Sequence, residues 1–195
     1  MTVSIPRNDP SRRGLLTVLL LLLLLAPTAS AHAALNLAGA DVRDDDGGIY
    51  LNARFDVTLS REAEEALQSG VPLRLEMQLR VTRPRGWWWW DAELVDEAVH
   101  TELRYHALSR RYVVLHESTG ERRTFFRRDA ALNAWASIAG HQVIARERLD
   151  TDTRYQLHLR ARLDASSLPY PLRTVALVSP EWRLTSEWYE WPLQG

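Results

Sequence analysis

Hydrophobic and polar residues alternate with a period of two through much of this chain, and that alternation predicts a fold built from strands. Ile49, Leu51, Ala53, Phe55, Val57 and Leu59 interleave with Tyr50, Asn52, Arg54, Asp56 and Thr58. Successive side chains on a strand point to opposite faces, so one face of this segment meets a core and the other meets water. Leu35 to Arg43 is expected to pair with it through the turn signal Asp44-Asp45-Asp46-Gly47-Gly48. Three aspartates invite a calcium reading, but the loop lacks the remaining spacing and the terminal glutamate of a helix-loop-helix site, so a turn is the better one. Leu73, Leu75, Met77, Leu79 and Val81 repeat the pattern against Arg74, Glu76, Gln78, Arg80 and Thr82, until Arg83-Pro84-Arg85-Gly86 forces a turn. Trp87 to Trp90 open the next predicted strand, which continues through Val95, Val99, Leu103 and Tyr105.

Further along, Tyr112 to Leu115 and Arg123 to Phe126 predict a hairpin around Ser118-Thr119-Gly120. Val143 to Leu149 and Tyr155 to Leu163 flank the turn Asp150-Thr151-Asp152-Thr153. In the latter strand Tyr155, Leu157, Leu159, Ala161 and Leu163 face in, while Arg154, Gln156, His158, Arg160 and Arg162 face out, which makes His158 a solvated residue. A stiff connection, Leu168-Pro169-Tyr170-Pro171-Leu172, precedes a last extended stretch, Val175 to Val178 and then Trp182 to Leu193. Two helices interrupt the strands. Ser60 caps the first, whose opening turn carries Glu62, Glu64 and Glu65 and which ends before Gly70. The second runs from Asp129 to Ala139, with Ala130, Ala131, Ala134, Trp135 and Ile138 at helical spacing and Gly140 as its stop. The sum is a mainly β chain: an antiparallel β-sandwich or strongly curved sheet with two short helices, forming one domain over residues 32–195.

Residues 1–31 read as a targeting segment. Arg7, Arg12 and Arg13 precede the apolar run Leu15 to Ala26, Pro27 breaks it, and Ala-x-Ala sites end at Ala31 and Ala33, the layout of a secretory signal cleaved after Ala31 or Ala33. The expected location is the periplasm. An uncleaved inner-membrane anchor and a twin-arginine route through Ser11-Arg12-Arg13-Gly14-Leu15-Leu16 are the alternatives. The strongly apolar part is shorter than the roughly 20 residues a spanning helix needs, and no cofactor motif calls for folding before export.

Composition chiefly excludes. Twenty-four basic residues oppose 25 acidic ones, for a net charge of −1, so no nucleic-acid partner is expected. All the basic residues are arginine, a bias that GC-rich codon usage explains, and the lack of lysine rules out Schiff-base chemistry. Cysteine is absent as well, which removes disulfides, a thiol nucleophile and thiolate metal sites. His100, His106, His116, His141 and His158 match no zinc spacing, and there is no Gly-x-Ser-x-Gly elbow. No catalytic residue, cofactor or metal is therefore assigned, although triads assembled from distant residues leave no motif.

Tryptophan is the one excess, with eight in the chain. In an extended strand Trp87 and Trp89 point away from Trp88 and Trp90, so if one pair fills the core the other needs a partner. That partner is a packed neighbour, another protein, a membrane surface or a stacked sugar ring. Arg80, Arg83 and Arg85 adjoin the cluster and Glu93, Asp96 and Glu97 follow it, a mixture that predicts cross-strand pairs on a solvated face. Arg122, Arg123, Arg127 and Arg128 form a second basic group able to meet anionic lipid or phosphate, with acids close by. Arg85, Trp87, Trp88, Trp89 and Trp90 are the candidate binding residues.

Dispersed segments of the chain carry a family resemblance. They are Phe55-Asp56-Val57 with Glu65-Ala66-Leu67 and Gly70-Val71-Pro72-Leu73, the Trp-Trp-Trp-Trp-Asp segment ending at Asp91, and Leu103 to Arg110 with Tyr112. Leu163-Asp164 with Leu168-Pro169, and Trp182 to Ser186 with Trp188, complete the set. In this order they resemble the exported proteobacterial domain-of-unknown-function family numbered 4390. The resemblance implies an envelope protein without assigned activity and carries over no catalytic residue. Genes of that family commonly lie near one for a membrane sensor kinase of the nitrogen-regulation type, an association that favours a protein partner in the inner membrane. The expected function is thus an exported binding domain contacting another envelope protein. The alternative is an envelope glycan or lipid binder with possible membrane-surface contact, or a hydrolase in which Glu93 and Asp96 act as carboxylates about 5 to 10 Å apart across a cleft.

Overall fold

A computed structural model describes residues 33–84 and 92–194. The candidate residues Arg85 and Trp87 to Trp90 lie outside the described residues, as does the signal segment. Nine strands and three α-helices follow in the order β1 (Ala34–Asp45), β2 (Gly48–Thr58), α1 (Arg61–Gln68), β3 (Leu73–Arg83), β4 (Ala92–His106), β5 (Arg111–His116), β6 (Glu121–Phe125), α2 (Arg128–Trp135), β7 (Ser137–Ala145), β8 (Arg154–Leu163), α3 (Leu172–Val178) and β9 (Tyr189–Gln194) among the described residues. They build two antiparallel sheets, a three-stranded one ordered β1-β2-β7 and a six-stranded one ordered β6-β5-β4-β3-β8-β9. Inward residues of both, Leu51 and Phe55 from the small sheet and Leu75, Leu79 and Leu157 from the large one, belong to a single buried cluster. The mainly β expectation holds.

Alternation sets the core. Leu73, Leu75, Met77, Leu79 and Val81 are fully buried on β3, and Tyr155, Leu157, Leu159 and Ala161 are buried beside them on β8. Phe55 of β2 meets the Tyr189 ring of β9 edge-on at 6.1 Å, and the Leu37 amide donates to the Tyr189 hydroxyl at 3.1 Å, so the two sheets are tied by one aromatic residue. Ser60 caps α1 by accepting from the Ala63 amide at 3.1 Å. The aspartate-rich segment is the β1–β2 turn, where Asp44 ion-pairs with Arg146.

Four expectations need correction. Helix α2 ends at Trp135, and Ser137–Ala145 is a strand, because Ile138 pairs with Ala53 of β2. Gly140 is thus no helix stop: it sits at φ +61° where the β2–β7 register shifts between Leu51 and Ala53, and its amide donates to Asn52 Oδ1 at 2.7 Å. A bulge needs a residue that reaches the left-handed region, which glycine does without steric cost. The same strand stops at Ala145, and Arg146–Arg148 forms a 3₁₀ turn in place of continued strand to Leu149. Leu172–Val178 is a third helix, not an extended segment; its valines favour strands only weakly, and Ala176 seats it on the core. Trp182 ends a 3₁₀ turn, Pro180–Trp182, so the final strand begins only at Tyr189.

Candidate binding face

The outward face of the six-stranded sheet is built from the polar positions of the same alternating strands. Register fixes which of them meet. Glu76 of β3 lies between His100 of β4 and Arg162 of β8, and Arg80 lies between Asp96 and His158. Arg162 binds Glu76 through two parallel bonds of 3.0 Å, and the His100 ring stands 3.8 Å from the same carboxylate. That cover leaves Glu76 only 9% exposed although it faces away from the core. Arg80 sits 3.3 Å from Asp96, which realises the expected cross-strand pairing of mixed charges.

Trp188 closes the β9 side of this face. Its position follows from Ser186, whose hydroxyl accepts from the Ala161 amide at 3.0 Å while its own amide donates to the Ala161 carbonyl at 2.9 Å. The segment before β9 is thereby laid along β8. The Trp188 ring then lies against two guanidinium groups, Arg160 at 4.5 Å and Arg80 at 5.1 Å from its centroid. The Arg160 Nε–H is buried without a hydrogen-bond partner, whereas Arg80 Nε is the atom that faces Asp96. An unpartnered buried donor costs free energy, and the electron-rich ring face offsets part of it.

His158 is not solvated, contrary to its outward position in the alternation. Its side chain is 17% exposed, with Nε2 3.0 Å from the Thr82 hydroxyl and Nδ1 3.2 Å from Glu190 Oε1, and the Trp188 ring stands edge-on to it at 6.4 Å. Arg80, Thr82, Glu93, His158, Trp188 and Glu190 line a groove of about 280 Å³. Hydroxyl, imidazole and carboxylate in this order make a proton relay. Thr82 is the penultimate residue of β3, paired with Glu93 on one side and Gln156 on the other. Mixed charges and an aromatic ring thus line one groove.

The remaining tryptophans divide by depth. Trp135 and Trp182 are buried in the core, while Trp191 packs half-buried against it. Alternation found the strands that carry the groove but not the groove itself, since Thr82, His158 and Glu190 come together only through the β3–β8 and β8–β9 registers. Of the second basic group, Arg127 pairs with Asp129 at 2.5 Å and Arg128 with Glu64 at 2.6 Å.

No curated protein and no solved structure matches the chain. One family does, its match running through both sheets and every residue of the groove. The chain belongs to the family described as Domain of unknown function (DUF4390), whose model matches residues 32–192.

Proposed function

We propose that this protein is an exported envelope domain that acts by binding another envelope protein, with a membrane sensor kinase among the candidate partners. The observation that carries the reading is Trp188 packed against Arg80 and Arg160 on the outward side of the large sheet. Tryptophan and arginine dominate interface hot spots, the first through a large, stiff aromatic surface and the second through a planar fork of hydrogen-bond donors. The groove lies at the end of the sheet where β3 stops at Arg83 and β4 begins at Ala92, so the candidate residues Arg85 and Trp87 to Trp90 are joined in sequence to its rim. The leader-like segment, with its basic start, apolar run and Ala-x-Ala sites, supports periplasmic delivery.

The test is in-cell photo-crosslinking with benzoyl-phenylalanine placed at position 88 and, separately, at position 93, which is exposed on the groove's edge. One discrete protein adduct from either position, identified by mass spectrometry, is the expected result. Adducts to lipid or glycan alone, or none from either position, contradict it.

A further inference from the structure

Leu108 is fully exposed and Phe126 is 73% exposed, and both lie at one corner of the six-stranded sheet, in the β4–β5 turn and just after β6. Register brings them there: Tyr112 pairs with Phe125, and the guanidinium of Arg111, the first residue of β5, covers the Phe126 ring at 4.3 Å. Arg110, Arg111, Arg127 and Arg128 adjoin these apolar tips in sequence, and Arg104 lies two positions before the end of β4, whereas Arg122 and Arg123 pair with Leu115 and Val114 toward the other end of the hairpin. Carboxylates answer three of the five at the corner: Glu102 for Arg104 at 3.1 Å, Asp129 for Arg127 and Glu64 for Arg128. Arg110 and Arg111 have no carboxylate within 4 Å among the described residues. The whole chain carries −1, so a corner this basic leaves the rest of the molecule with an excess of negative charge.

We infer that this corner docks the domain on a bilayer surface rich in anionic phospholipid, with Leu108 and Phe126 entering the headgroup region and the arginines spread over phosphates. The charge asymmetry both attracts the corner and turns the acidic remainder away, which gives the bound protein one orientation. Shape favours a bilayer over a protein partner: Leu108 projects from a turn tip and forms neither a pocket nor a flat patch. Arginine stems can lie along apolar surface while their heads reach the phosphates, and at Phe126 the Arg111 guanidinium already sits over the ring. One or two inserted side chains bind weakly, and each arginine near an anionic surface strengthens partitioning roughly fivefold, so both elements are needed. This surface is separate from the tryptophan–arginine groove and stands or falls independently of it.

The absence of native cysteine allows a single reporter. Protein isolated as cells process it, carrying Leu108→Cys labelled with an environment-sensitive nitrobenzoxadiazole dye, is mixed with vesicles of phosphatidylcholine alone or of equal parts phosphatidylcholine and phosphatidylglycerol. The expected result is brighter, blue-shifted emission with the anionic vesicles only, reversed by salt. Arg110→Gln with Arg111→Gln in the labelled chain weakens that partitioning roughly 30-fold. A label at Val175→Cys, on the exposed side of α3, stays unchanged. No shift at position 108, an equal shift with neutral vesicles, or an equal response at position 175 would overturn the inference. An N-terminal anchor cannot imitate the expected pattern, because it would recruit every variant to both vesicle types.

Discussion

Trp135 is fully buried, and its indole N–H donates to the Thr101 carbonyl at 3.0 Å while the Thr101 hydroxyl donates to the Trp135 carbonyl at 2.7 Å. The pair joins α2 to β4 in the core with its polar atoms matched. Thr101→Val keeps the side-chain volume but leaves that carbonyl without its donor, and is expected to lower stability by about 1–3 kcal/mol in urea unfolding with an unchanged slope. His116 gives a pH signature. Burial pushes its pKa below the usual 6.5, with Arg123 adding to the fall and Glu121 opposing it. The unfolded chain therefore binds the proton more readily, so this contribution to stability is complete above 6.5 and is lost as pH falls through the lower folded value. His116→Asn should narrow the drop in Tm between pH above and below 6.5, measured against the parent chain; an unchanged drop would contradict the assignment. At this scale alternation placed Leu73 to Val81 and Tyr155 to Leu163 inward correctly. It misplaced His158, because Thr82 and Glu190, the partners that cover it, lie 76 and 32 residues away in sequence.

Among elements, the hairpins and α1 were legible because their signals are local: Ser60 caps its own helix, and Gly120 at φ +69° turns between β5 and β6. The α2–β7 boundary was not. Ala136, Ile138 and Ala139 suit a helix by themselves, and only pairing with β2 extends them. Gly140 offers a test of the bulge's backbone, which holds it at φ +61°. A Cβ there would meet nothing within 4 Å, so the cost of Gly140→Ala arises from the left-handed backbone alone. About 1–2 kcal/mol is expected, read from denaturant midpoints. A neutral substitution would show that the bulge relaxes freely. Helix α3 escaped for a related reason: Ala176 alone among its residues is buried, so its periodicity is too faint to separate from a strand's.

For the whole molecule, one core binds two sheets, and the polar side of the larger sheet is free to carry recognition. Its groove couples β3, β8 and the start of β9, whereas the basic corner sits across the sheet on β4, β5 and β6. A domain exported to the envelope could thus meet a protein through one surface and a bilayer through the other. We hold that the contacts of Trp188 with Arg80 and Arg160 serve recognition and do not merely fasten β9. The most direct measurement compares thermal stability and in-cell crosslink yield, from the probe at position 93, for the parent and Trp188→Ala. Losing these contacts is expected to cost about 1–2 kcal/mol of stability, leaving a folded protein whose discrete protein adduct falls at least tenfold. An undiminished adduct, or a variant that no longer folds, would contradict the claim.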